Sequence, residues 1–148
     1  KIQNGTIKSL YFNLKAALEN GERGQTPYTP AVGILLQLNY RLKQIDTIGP
    51  EQVIAATKAL AEDFRSRISK LPFSFFSSSM SNAATALVTN KISAYKIFEI
   101  LKNDYGIWVC PNGGELKERV FRVGHMGALS IKDNHILVEA LKEIILKA

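Results

Sequence analysis

The spacing of the apolar residues changes at Pro72, and that change limits the folds open to this chain. Before it, apolar positions recur at helical intervals. From Ser9 to Leu18 they are Leu10, Leu14, Ala17 and Leu18, and Asn20-Gly21 ends the run. The stretch Gly21 to Pro30 (GERGQTPYTP) has loop chemistry. Thr29 and Pro30 then read as the N-cap and first residue of a second helix, where the missing proline N–H does no harm. Val32, Leu35, Leu36, Leu38, Leu42 and Ile45 cover much of its circumference, so this helix is expected to be largely buried. Gly49-Pro50 ends it. A third helix runs from Glu51 to about Lys70, with Ile54, Leu60, Phe64, Ile68 and Leu71 as its buried stripe.

After Pro72 the apolar residues fall in short runs. Phe73 to Ser79 and Ala84 to Thr89 are expected to be strands joined by a Ser/Asn turn. Ser93 caps a helix carrying Tyr95, Phe98, Ile100 and Leu101, and Gly106 stops it. Ile107 to Cys110 and Arg119 to Val123 are further strands, separated by the turn Pro111-Asn112-Gly113-Gly114. Lys132 to Lys147 is a final amphipathic helix. Three helices followed by the order β-β-α-β-β-α predict an α+β fold: a small, mostly antiparallel sheet with helices packed on one face. A doubly wound nucleotide-binding fold is excluded by that order.

Composition narrows the function. The chain has 148 residues, enough for one domain with a core. It has no apolar run of the roughly 20 residues that cross a bilayer, so no membrane partner is expected. Lys1 to Leu10 lacks a signal-peptide pattern, and the absent Met suggests a trimmed start. The net charge of +6 comes from scattered Lys and Arg mixed with acids, which argues against nucleic acid as a partner. The single cysteine, Cys110, allows no internal disulfide, and a cytoplasmic home is expected. Following Ile107-Trp108-Val109, Cys110 is expected to be a packed strand residue; a reactive thiolate would need a cationic neighbour that the sequence does not identify. Neither His125 nor His135 has a second ligand at metal spacing. No nucleophile elbow or Walker loop is present.

Two segments carry possible chemistry. In Thr26-Pro27-Tyr28-Thr29-Pro30, hydroxyls precede a helix start, where free N–H groups and the helix dipole attract anions; the same residues can be a cap and nothing more. In Val120-Phe121-Arg122-Val123-Gly124-His125-Met126-Gly127, Arg122 alternates to the face opposite its apolar neighbours. There it is either merely solvated or a carboxylate site, for which its planar fork is suited.

At these segments, TPYTPAV and FRVGHMG, the chain resembles the class V pyridoxal-phosphate aminotransferases, particularly the alanine–glyoxylate and serine–glyoxylate branch. Ser9-Leu10-Tyr11-Phe12-Asn13-Leu14 is similar to the aromatic segment that precedes the family's threonine loop. The resemblance runs over nearly the whole chain. It implies the C-terminal small domain of a fold-type I enzyme, with residues 1–30 linking to a large domain and 31–148 forming the small one. It implies that Arg122 pairs with the substrate carboxylate and that Thr29, with Thr26 nearby, holds the phosphate of pyridoxal 5'-phosphate. His125 is expected to be structural. The substrates implied are a small amino acid (alanine or serine) and a 2-oxo acid (glyoxylate or pyruvate), handled by a homodimer. The family's Schiff-base lysine matches no lysine here, so no catalytic residue is assigned and the fragment alone is expected to be inactive. Competing readings are a small-ligand or RNA-binding α+β module, and a cysteine desulfurase, phosphoserine aminotransferase or kynureninase of the same class.

Overall fold

Capping and turn chemistry define most element ends in the computed structural model, which describes residues 2, 5–6 and 8–147. The chain divides into two units, Lys1–Thr47 and Ile48–Ala148.

In the first unit, α1 spans Leu14–Glu22. The Asn13 side chain caps it by accepting from the Ala16 N–H at 3.0 Å. Ser9 to Asn13, expected to open this helix, stays outside it. The helix α2 spans Val32–Ile48 and contains no buried residue. This corrects the expectation of a buried helix: Ile34 is 67% exposed and Leu36 64%. Apolar coverage reports what a helix is able to bury, and among the described residues of this unit none buries a residue of α2.

The second unit opens with α3, Pro50–Ile68, entered through Gly49 at φ +96° with Pro50 in its first turn. Only its C-terminal half is buried, through Ala61, Phe64 and Ile68. Ile54, placed on the buried stripe by its spacing, is instead 66% exposed. Strands β1 (Phe73–Phe75) and β2 (Ala84–Thr89) follow. Then comes α4, Ala94–Asp104, whose N-cap Ser93 accepts from the Lys96 N–H at 3.1 Å. Gly106, at φ +66°, turns the chain out of α4 in the left-handed region that glycine adopts without strain. Strand β3 is the pair Cys110–Pro111, a 3-10 turn covers Gly114–Leu116, and β4 is Val120–Gly124. Helix α5, Ile131–Leu146, starts with the Asp133 carboxylate accepting both the N–H and the hydroxyl of Ser130.

The sheet is four-stranded in the order β1-β2-β4-β3, antiparallel throughout. The expected α+β architecture is borne out. One sheet face carries Leu87, Phe121 and Val123, which join Phe64, Ile68, Ile97, Leu101, Leu137 and Leu141 of the three helices in a single apolar core. Removing these side chains from water is the main term holding the unit together, about 25 cal/mol per Å² of apolar surface buried. Asn134 ties α5 to α3, donating to the Leu60 carbonyl and to Asp63 at 3.0 Å each.

Candidate functional site

The strand pleat decides what Arg122 does. In β4, Phe121 and Val123 point into the core, so Arg122 between them stands on the other face, exposed. The register sets it directly between Ala86 of β2 and Cys110 of β3. Beside that row, Ala84 lies opposite Gly124. On the β2 side Arg122 is therefore flanked by Ala86 and Ala84, which bear only methyl groups, and by Val88, which lies opposite the buried Val120. Arg122 makes no ion pair among the described residues. Its one side-chain partner is the Cys110 sulfur, 3.0 Å from Nη2. Cys110 is exposed, which corrects the expectation of a packed strand residue. The strand here is shorter than its apolar run suggests. Val109 is the buried residue of the segment, so the next position, Cys110, alternates outward. The cationic neighbour that the sequence did not identify is Arg122, brought across the sheet from twelve positions away.

His125, next in line after Gly124, is buried and lies 5.3 Å from the Phe64 ring. Its Nε2 is 2.8 Å from the Thr85 hydroxyl oxygen, which also accepts from Arg65 Nε at 3.0 Å. Counting protons settles the roles. The hydroxyl proton of Thr85 has no other acceptor among the described residues, so it goes to Nε2, and Nδ1 carries the ring proton. That Nδ1 has no partner among the described residues. Burial, with the nearby Arg65 charge adding to it, lowers the His125 pKa to about 4, so the ring is neutral at pH 7. Arg65 also reaches Asn82 Oδ1 at 3.3 Å and the Ser81 carbonyl, fixing the β1–β2 connection. Sequence reading missed this Arg65–Thr85–His125 chain. Three polar residues from three elements carry no common spacing that could have revealed it.

In the first unit, Thr26 and Thr29 line one surface recess of about 290 Å³ with Tyr11, Phe12 and Tyr28. Tyr28 stacks on Tyr11 at 5.4 Å and donates to the Leu10 carbonyl at 3.0 Å, joining the aromatic segment to the threonine loop. The Thr26 hydroxyl donates to the Tyr28 carbonyl at 2.8 Å. Thr29 is exposed, and no partner of its hydroxyl is found among the described residues. The helix that Thr29 was expected to cap begins only at Val32. Val32 N–H bonds the Pro30 carbonyl at 2.8 Å, a tight turn that delays the helix. Thr29 therefore precedes the start of α2 rather than capping it. Among the described residues no cluster of His, Cys, Asp and Glu could hold a metal, and no helix is long and apolar enough to cross a membrane.

No family model matches the chain. An uncharacterised aminotransferase of Methanocaldococcus jannaschii is 30% identical over 115 residues, covering 76% of this chain and 30% of that protein. The small subunit of a soluble hydrogenase from Synechococcus sp. is 25% identical over 145 residues, covering 97% of this chain and 38% of that one. The solved ureidoglycine–glyoxylate aminotransferase of Bacillus subtilis superposes with a TM-score of 0.87 at 21% identity, over 98% of this chain and 39% of that one. The chain thus spans well under half the length of the proteins it is similar to, and its fold is that of aminotransferase C-terminal domains.

Proposed function

We propose that this chain is the C-terminal part of a pyridoxal-phosphate-dependent aminotransferase of class V. The whole protein would move an amino group between alanine or serine and glyoxylate or pyruvate. Residues 31–148 would form the small domain and 1–30 the link to a large domain that carries the Schiff-base lysine. A homodimer in the cytoplasm fits this reading. The observation that carries it is Arg122, an exposed guanidinium on the sheet face away from the core with no carboxylate of its own among the described residues.

The residues present fit the two anions such a reaction needs. Arg122 has donors enough for a carboxylate as well as for its contact with Cys110. Thr29 and Thr26 border a recess ahead of α2, where a hydroxyl and the positive end of a helix favour a phosphate. The cofactor, when bound, supplies an electron sink for chemistry at the substrate α-carbon. Arg122 would then fix the substrate by its carboxylate, so that the α C–H bond is held in one orientation. That is a positioning role. Thr29 would anchor and not react. His125, buried and neutral, would support the strand that carries Arg122.

The test uses the intact protein purified with pyridoxal phosphate. Its visible spectrum should show bound cofactor, and borohydride should trap that cofactor on a lysine outside this chain. Arg122→Ala should raise the KM for the amino donor and lower turnover. Losing a hydrogen-bonded charge is worth about 1.5–3 kcal/mol, roughly tenfold to a hundredfold in kcat/KM. A colourless protein with no trapped cofactor would overturn the reading, and binding of small ligands or RNA would be measured next.

A further inference from the structure

The contact between Arg122 and Cys110 bears on how a carboxylate is received. We infer that Cys110 is the positioning residue of Arg122: its thiol holds one end of the guanidinium through the Nη2–Sγ contact and leaves the rest of the fork free for a ligand carboxylate. The inference rests on the reading of Arg122 as a carboxylate site.

Four observations support it. Cys110 and Arg122 are directly opposed in the β3–β4 register, so their side chains rise side by side on the same face. The sulfur lies 3.0 Å from Nη2. The Pro111 carbonyl lies 3.8 Å from the sulfur, a weak acceptor within reach of the thiol. No acidic side chain pairs with Arg122 among the described residues.

The chemistry of the anchor explains why a thiol suits this position. Sulfur, a weak acceptor, fixes a long, flexible side chain without the strong two-pronged pairing a carboxylate makes. A carboxylate at 110 would do the opposite. It would form a charge-assisted, two-pronged pair with Arg122 and occupy the donors meant for the ligand. An alanine would leave the guanidinium free to sample other rotamers, and binding a ligand would then have to order it.

Two experiments test the inference, with different ways of failing. In the intact enzyme, Cys110→Ser should keep the amino donor's KM within about twofold, because a hydroxyl can also accept from Arg122. Cys110→Ala should raise KM about two- to tenfold with little change in kcat. Cys110→Asp should raise it at least about tenfold, approaching Arg122→Ala, because the new carboxylate competes internally. If Arg122→Ala raises KM but Cys110→Ala and Cys110→Asp do not, the positioning role is overturned and the carboxylate site stands. If Arg122→Ala itself leaves KM unchanged, the carboxylate reading falls instead.

The second experiment needs no activity and uses the 148-residue chain, whose only cysteine is Cys110. The sulfur is alkylated in parallel by anionic iodoacetate and neutral iodoacetamide. In each case the S–C bond forms, the C–I bond breaks, iodide leaves with the electron pair and the thiol proton passes to solvent. A guanidinium beside the sulfur should draw in the anionic reagent. The ratio of iodoacetate to iodoacetamide rates should therefore fall about fivefold in Arg122→Ala, the factor for unit charges about 4 Å apart in water. An unchanged ratio would show that the sulfur and the charge do not work together, and would overturn the inference.

Discussion

At the scale of the residue, burial turns His125 from a titrating group into a fixed one. Its pKa is lowered to about 4, first by burial and then by the Arg65 charge. The unfolded chain takes up a proton near pH 6.5, whereas the fold refuses it until about pH 4. His125 therefore contributes its full stability above pH 6.5 and loses it as pH falls towards 4. The gap between the two pKa values corresponds to about 3 kcal/mol. Urea unfolding at pH 7, 5.5 and 4.5 should show this slope, and His125→Gln should flatten it. Equal slopes in both proteins would mean that the ring is not held neutral. The structural role of His125 was legible only as the more plain of two alternatives, because its partner Thr85 lies forty positions away. Arg122 was legible as an outward strand residue, since alternation needs only its neighbours Phe121 and Val123. The exposure of Cys110 was not, because it depends on where β3 begins to pair with β4.

At the scale of the element, local signals succeeded where local interactions set the outcome. Ser93 and Gly106 bound α4 because a cap and a left-handed glycine act within one turn. Ala84 to Thr89 was placed at its observed ends. Errors arose where burial needs a partner that the pattern cannot name. Ile54 was counted on the buried stripe of α3, but ten residues at about 100° each set it roughly 80° round the helix from Phe64, and Phe64 is in the core while Ile54 is in solvent. The consequence is measurable on the 148-residue chain. Phe64→Ala should cost about 3–5 kcal/mol in urea unfolding, through lost burial and a cavity. Ile54→Ala should stay within about 0.5 kcal/mol, as surface changes do. A comparable loss from both would show that the N-terminal half of α3 is covered in solution. The threonine loop was legible in its residues, but the start of α2 was not, because a tight turn from Pro30 to Val32 replaces the first helical bonds.

At the scale of the whole molecule, the two units differ in kind. Ile48–Ala148 has its own core, whereas α1 and α2 in Lys1–Thr47 and at its border contain no buried residue. Leu35, Leu36, Leu38 and Leu42 are each more than half exposed. Apolar surface of that extent drives association in water. The 148-residue chain should elute larger than a monomer in size-exclusion chromatography, and a mild detergent should reduce its apparent mass. Replacing Leu35, Leu38 and Leu42 together with Gln should do the same without detergent. A monomer at every concentration would show that these side chains are satisfied within the chain.

The shortness of the outer strands bears on the manner of any such clustering. Strands β1 and β3 border the sheet and extend over three and two residues. They offer an approaching chain almost no ladder of free amides and carbonyls to extend. Copies that gather through their leucine-rich helices therefore have no template for fibre growth. Such clusters should stay helical and reversible, dispersing on dilution and leaving the fold of Ile48–Ala148 unchanged.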